Sequence, residues 1–283
     1  MKIDLFNIKN FKTDGGAMFG VVPKTLWSRV YKSDENNLIS LSLRSLIVET
    51  EGHIILVDTG WGDKQDARFF KYVYQHGGEG LIEGLKNREI HPEEITDVIL
   101  THLHADHCGG SVRNASSGKG YEQVFPNATF HVSRAQWEWA VKNNIREADA
   151  FLEENILPLR ESRRLNLIEE EGELCKGVWL RLFYGHTPGL MLPLVEYKGR
   201  KLFYTGDLIP TIAHIPLIWN MSYDLEQMKT IEEKTNILKE ALTNDYVFVF
   251  QHDINTECCT LCLTEKGIRA KDRIPFKQVL LTL

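Results

Sequence analysis

The sequence predicts an α/β fold built as one domain over residues 1–283. Three observations carry that expectation. Apolar, β-branched runs recur, each ending in a sharp turn that bears His or Asp. Helical patterns lie between those runs. No Pro/Gly/Ser-rich linker divides the chain. Composition agrees: 43% hydrophobic and 25% charged residues are the balance of an ordinary globular protein, and a chain of this length buries a substantial core without disulfide staples.

The elements follow in chain order. SLIVETEGHIILVDTG (45–60) reads as a hairpin that turns at Glu51–Gly52 and ends at Asp58. Helical patterns cover 64–75 and 78–87. ITDVILTHLHADH (95–107) is a buried strand running into a cluster of histidines. Helices are expected over 133–144, with Ser133 as N-cap, and over 146–160. VWLRLFYGHTPG (178–189), RKLFYTGD (200–207) and DYVFVFQHD (245–253) are strands running into His186, Asp207 and His252, with a helix over 224–242 before the last. Every ligand-type residue thus stands just past the C-terminal end of a strand, where α/β folds place their sites.

Charge and punctuation exclude several classes. A net charge of −6 argues against a nucleic-acid partner, because phosphate binding needs a positive field. The basic run RESRR (160–164) reads as a solvated helix end. No stretch nears the roughly 18 apolar residues of a membrane helix. The N-terminus, MKIDLFNIKNFK, spreads its charges and resembles no export signal. Five cysteines, three of them in CCTLC (Cys258, Cys259, Cys262), therefore read as reduced thiols in a cytoplasmic protein.

THLHADHCGG (101–110) carries the chemistry. His102 and His104 are two residues apart in extended chain, so their rings point the same way and can hold one metal. Asp106 and His107 follow as the chain turns into a helix and point to a second spot. His186 can give the first metal a third imidazole, His252 can complete the second, and Asp207 has two oxygens with which to bridge. A solvated, His-rich loop is the competing reading. Five imidazoles and two carboxylates without thiolate suit zinc, and also iron, manganese or cobalt.

THLHADHCGG, GHTPG, TGD and QHD, in this order, resemble the metal-binding motifs of the metallo-β-lactamase superfamily over residues 45–253. The resemblance implies a four-layer αβ/βα sandwich, two mixed sheets face to face with helices outside. It implies a dinuclear zinc site: His102, His104 and His186 on one ion, Asp106, His107 and His252 on the other, Asp207 bridging. It also implies that Asp58 sits behind a metal histidine and holds its other N–H; a turn or helix cap is the alternative. The diiron branch of the family resembles HxExD at the cluster, and His104 stands there instead, which favours zinc and hydrolysis. A metal-bridging hydroxide would then attack an ester-like bond, with Asp106 passing a proton to the leaving group.

Within that family the sequence narrows the substrate. A basic recognition arm for a nuclease is missing. The roughly thirty residues after His252 are too short for the glutathione-binding part of a glyoxalase II-like thioesterase. GGAMFGVVPKTLW (15–27) resembles the N-terminal segment of the quorum-quenching N-acyl homoserine lactonase and methyl parathion hydrolase-like branch. There Met18, Phe19 and Trp27 would line the pocket mouth; an ordinary edge strand is the alternative. In the best-known lactonases a tyrosine lies three residues after the bridging aspartate; here Pro210 does, so either His214 or Tyr223 substitutes for it or the substrate differs, and an ordinary loop residue is the alternative for His214. The apolar loop 208–221, with Trp219, would form a second pocket wall or the interface of a homodimer. The expected protein is a dinuclear zinc lactonase acting on a small molecule with an apolar part. Phosphotriester hydrolysis and thioester hydrolysis are the alternatives in its class, and a non-catalytic metal-binding protein is the alternative outside it.

Overall fold

Alternation between apolar strand and amphipathic helix governs the chain as the periodicity predicts. A computed structural model describes residues 1–142 and 144–282. The chain begins with β1 (Lys2–Asp14), α1 (Gly15–Phe19), α2 (Lys24–Trp27), β2 (Leu38–Thr50) and β3 (His53–Val57). Then come α3 (Ala67–Lys71), α4 (Leu81–Lys86), β4 (Asp97–Ile99), α5 (Ala105–Cys108), β5 (Val112–Asn114), β6 (Tyr121–Gln123), β7 (Thr129–Ser133), α6 (Arg134–Ala140), α7 (Glu153–Glu161) and β8 (Leu165–Ile168). The remainder is β9 (Gly172–Cys175), β10 (Val178–Phe183), β11 (Leu190–Tyr197), β12 (Arg200–Tyr204), α8 (Gln227–Thr243), β13 (Val247–Val249), β14 (Cys258–Thr264), β15 (Gly267–Ile274) and α9 (Phe276–Thr282).

Contacts divide the chain into two compact units. The first holds residues 1–9, 43–72 and 76–171; the second holds 10–42, 73–75 and 172–283. The long strands β1 and β2 therefore each begin in one unit and end in the other. In the first unit the sheet runs β1-β2-β3-β4-β7-β8. The predicted hairpin is present, with Leu46 opposite Val57 and Thr50 opposite His53. β3, β4, β7 and β8 are mutually parallel, which demands burial on both faces. Ile55, Leu56, Val57, Val98, Ile99 and Phe130 accordingly have no measurable exposure.

In the second unit the sheet runs β15-β14-β13-β12-β11-β10-β9. β12 pairs parallel with β13, and the connection between them is α8. The helix buries Thr230, Glu233, Lys234, Ile237, Leu238 and Ala241, a stripe at helical spacing. Ile237, Leu238 and Ala241 join Leu192, Leu194, Phe203 and Phe248 of the sheet in one apolar cluster.

Boundaries differ from the sequence expectation in three instructive places. Helix 146–160 begins only at Glu153, and the pattern 64–75 holds one short helix, capped by the Asp66 side chain on Phe69 N–H. Segment 15–27 is no edge strand: the Asp14 side chain accepts from Ala17 N–H and starts α1, and Pro23 precedes α2. Local capping chemistry outweighed the apolar composition there.

The Gly-Gly pair after the histidine cluster has a steric cause. Gly110 N–H donates to Gly60 O at 2.9 Å, and a β-carbon at Gly110 would lie 2.1 Å from Thr59 O. Gly110→Ala must therefore push apart the turn after β3 and the end of α5. Overpacking of this kind costs about 1–3 kcal/mol; we expect a clear drop in the denaturation midpoint, with the chain still folding at low temperature.

Candidate metal centre

Four strands deliver the candidate ligands with one offset. β4 ends at Ile99, β10 at Phe183, β12 at Tyr204 and β13 at Val249; His102, His186, Asp207 and His252 each follow three residues later. β10 and β12 are both antiparallel to β11, and β13 is parallel to β12. His186, Asp207 and His252 therefore emerge at the same end of the second unit's sheet. GHTPG owes its first glycine to packing, since a β-carbon at Gly185 would meet Thr230 N of α8 at 2.4 Å.

In the first unit, His102, His104, Asp106 and His107 leave β4 and enter α5. Asp58, fully buried, sits at the end of β3 beside them. Its Oδ1 accepts from Thr101 N–H at 2.8 Å, and its Oδ2 accepts from Thr101 Oγ1–H at 2.8 Å and from His107 Nδ1–H at 2.8 Å. Thr101 Oγ1, having given its proton away, accepts from His102 Nδ1–H at 3.0 Å. His104 Nε2–H donates to Glu147 Oε1 at 2.9 Å, and the Trp139 indole N–H donates to the other oxygen of Glu147. Each of these imidazoles thus spends one N–H on an acceptor, which leaves a lone pair on its other nitrogen.

Those lone pairs face other acceptors. His102 Nε2 and His104 Nδ1 are 2.9 Å apart. His107 Nε2 lies 3.4 Å from Asp106 Oδ2. The second unit repeats the arrangement: His186 Nδ1–H donates to Asp224 Oδ1 at 3.0 Å, and His252 Nδ1–H donates to Ser42 O at 2.8 Å. Their Nε2 atoms then meet the two oxygens of one carboxylate, His186 at 3.3 Å from Asp207 Oδ2 and His252 at 2.9 Å from Asp207 Oδ1. Electron pairs at such distances repel unless a cation lies between them. The donor set, imidazole and carboxylate oxygen, suits a divalent metal. Asp207 addresses two imidazoles with separate oxygens, as a bridging carboxylate can.

α8 fixes two loops of the second unit. The Glu233 carboxylate accepts from Tyr184 N–H at 2.7 Å and Gly185 N–H at 3.0 Å, just before His186; burial raises its pKa. Lys234 Nζ donates to the carbonyls of Pro216, Leu217 and Trp219 and to Asn220 Oδ1 at 2.9–3.3 Å. Burial pushes that ammonium down to about 7. Cys108 is fully buried and its thiol is pushed up to about 12 by burial, so it serves packing.

The residues expected at a pocket mouth form a buried stack. Met18, Phe19 and Trp27 are 3%, 0% and 1% exposed. The Phe19 ring stacks on Trp27 at 5.2 Å and on His214 at 4.9 Å, with Trp219 edge-on at 5.8 Å. His214 Nε2–H donates to Met18 O at 2.8 Å, and its Nδ1 accepts from Thr211 Oγ1 at 2.7 Å. Pro210 contributes its carbonyl, which accepts from His252 N–H, and Tyr223 hydroxyl pairs with Thr13 Oγ1. Glu147, Asp224, Glu233 and Lys234 were not anticipated from the sequence; only the spacing of Glu233 and Lys234 on the inner stripe of a helix gave any signal.

A sequence model of the metallo-beta-lactamase superfamily matches residues 44–252. The chain belongs to that superfamily, has the metallo-β-lactamase fold and is a metal-dependent hydrolase. An N-acyl homoserine lactonase from a Bacillus species is 30% identical over 236 residues, covering 78% of this chain and 84% of the relative. The Bacillus cereus N-acyl homoserine lactonase is 29% identical over 176 residues, 59% of this chain, and the match spans 63% of that relative's length. Among solved structures, a probable metal-dependent hydrolase from Staphylococcus aureus has a TM-score of 0.88 at 30% identity, with 96% of each chain covered. A dizinc quorum-quenching lactonase shares the fold with a TM-score of 0.77 at 20% identity, covering 97% of this chain and 95% of its own. Among the described residues no helix is long and apolar enough to cross a membrane.

Two outcomes follow from this geometry. Asp58→Asn keeps the volume but puts an amide where three donors converge, which favours the wrong tautomer of His107. Metal affinity, read by competition with a chelator, should fall about 10–100-fold, with the far-ultraviolet dichroism intact. The second concerns pH. Burial pushes the His214 imidazole down to about 3, below its value near 6.5 in the unfolded chain. Between those values the unfolded state binds a proton that the folded state refuses, so stability rises with pH and is lost as pH falls below 6.5. His214→Gln should flatten the pH dependence of unfolding by about one proton, ~1.4 kcal/mol per pH unit in that window.

Proposed function

We propose that the chain is a dinuclear zinc hydrolase that opens an N-acyl homoserine lactone or a closely similar ester. The observation that carries the reading is Asp207, whose two oxygens address His186 and His252 separately. In this reading His102, His104 and His186 share one ion, Asp106, His107 and His252 the other, and Asp207 holds the two close by offsetting their repulsion. When bound, a pair of divalent ions supplies positive charge that polarises a carbonyl and lowers the pKa of water towards about 7.

The chain's own residues do the rest. Asp58, Glu147, Asp224 and the Ser42 carbonyl hold the imidazoles in their ligating tautomers. Asp106, whose side chain is 17% exposed, takes on a carboxylate oxygen the proton given up by the attacking water and passes it to the departing alkoxide. The Trp27–Phe19–His214 stack, with Met18, backs a wall whose face is Trp219, against which the acyl part lies. The lactone preference is supported by the 30% identical N-acyl homoserine lactonase. Five cysteines outside disulfides fit a reducing compartment, and we assign the enzyme to the cytoplasm.

One experiment tests the reading. Zinc-loaded protein is assayed for metal content and for turnover of homoserine lactones with acyl chains of increasing length, beside a phosphotriester and a glutathione thioester. Two ions per chain are expected. kcat/KM on the lactones should rise with chain length, by at most about fourfold per buried methylene, and Trp219→Ala should flatten that rise. Preference for the glutathione thioester, without a chain-length trend, would replace lactone hydrolysis by thioester hydrolysis.

A further inference from the structure

The second unit contains a cavity of about 310 Å³ that none of the seven candidate ligands lines. One wall is apolar and belongs to the loop after β12: Ile212, Ile215, Pro216 and Trp219. This is the loop whose carbonyls Lys234 gathers from below, so the wall is held in place. The facing wall is β15, the edge strand of its sheet. Within five residues it lines the cavity with Arg269, Lys271 and Arg273.

Charge gives the cavity its character. The whole chain carries −6, yet this wall sets three cations against one lining carboxylate, Asp253. That carboxylate is committed to the backbone: Oδ1 accepts from Asn255 N–H and Thr256 N–H, and Oδ2 from Ile212 N–H, each at 2.9 Å. Asp272 lies 3.7 Å from Lys271 and also accepts from Thr260 Oγ1. Arg269 donates to its neighbour's carbonyl, Ile268 O. Among the described residues neither Arg269 nor Arg273 is ion-paired. A guanidinium fork facing an apolar wall fits an oxyanion on a hydrocarbon body. The volume lies at the small end of ligand sites, which limits that body to a short chain or a single ring.

We propose that this cavity is a second ligand site, for a small amphipathic carboxylate whose head meets Arg269, Lys271 and Arg273 and whose tail lies on Ile212, Ile215 and Trp219. Asp253, which lines the cavity, directly follows His252 in the chain, and the wall carries Trp219. An occupant would therefore rest on the segments that hold a candidate ligand and the proposed acyl wall. Hydrolysis of an acyl lactone releases an acid of this class; that link rests on the proposed function, whereas binding itself does not.

The test is calorimetric titration of the zinc-loaded protein with octanoate, octyltrimethylammonium and octyl phosphate. The same titrations are run on the double variant Lys271→Glu/Arg273→Glu, whose substituted side chains are exposed and outside the metal centre. Octanoate should bind once per chain at this site and at least about tenfold more tightly than the ammonium probe. The double variant should lose about tenfold or more of the octanoate affinity while keeping its zinc content and its turnover of a short-chain ester. Equal binding of octanoate and octyltrimethylammonium, or octanoate affinity unchanged by the double variant, would overturn the site. Tighter binding of octyl phosphate than of octanoate, lost in the same variant, would overturn the carboxylate assignment. Lactone turnover need not occur for any of these readouts, so failure here and failure of the lactonase reading are separable.

Discussion

The buried carboxylate of Asp58 is the constraint on which the first unit's ligands depend. It stands at the end of β3 with positive φ, 56°, a conformation an aspartate tolerates better than most residues. From there it receives three hydrogen bonds at 2.8 Å. One of them orients His107 directly. Another passes through the Thr101 hydroxyl and orients His102. A single side chain thus settles the tautomer of two imidazoles and the path of the backbone as it leaves β4. Thr59, next in sequence, secures the far side by donating its amide N–H to His107 O at 2.7 Å. The β3 end and the α5 turn are consequently one rigid piece, and the loop between strand and helix has little freedom left.

The second unit solves the same problem with different partners. His186 is held by Asp224, thirty-eight residues on, and His252 by a main-chain carbonyl, Ser42 O. α8 adds support from adjacent positions. Glu233 collects the amides before His186, and Lys234 collects the carbonyls of 216–219. Burying an acid and a base at adjacent helical positions is costly unless each is fully hydrogen-bonded, and each here is spent on the neighbouring loop. The loops that carry a ligand and the Trp219 wall are therefore tied to the same helix, and that helix is tied to the sheet by Ile237, Leu238 and Ala241.

These two arrangements explain what the sequence disclosed and what it concealed. The ligands were legible because strand and ligand are contiguous: an apolar run ends, and three residues later the chemistry appears. The hairpin at Glu51–Gly52 and the Ser133 cap, whose oxygen accepts from Gln136 N–H, were legible for the same local reason. The orienting groups were not. Glu147 lies forty-three residues from His104, Asp224 lies in an irregular turn, and the Ser42 carbonyl has no side-chain signature at all. Segment 15–27 misled because its apolar residues suit a strand as well as a buried helix, and a single aspartate cap decided between them. The cavity beside β15 was equally hidden, since Arg269, Lys271 and Arg273 read in sequence as the polar edge of a strand.

Charge bookkeeping gives the strongest physical case for cations. In the first unit Asp58, Asp106 and Glu147 bring three carboxylates to the histidine cluster; in the second, Asp207 and Asp224 bring two. The donors described above for Asp58, Glu147 and Asp224 are an amide, a hydroxyl, an indole and imidazole N–H groups, which bring no positive charge while the imidazoles are neutral. Buried carboxylates without compensating charge are expensive, and one proton shared between His102 Nε2 and His104 Nδ1, 2.9 Å apart, would join that pair but add only a single positive charge to the cluster. Divalent ions would relieve both terms at once, by drawing imidazole lone pairs together and cancelling carboxylate charge where it is buried. The orientation of these imidazoles therefore suits metal loading, which would couple the stability of the ligand-bearing loops to metal binding.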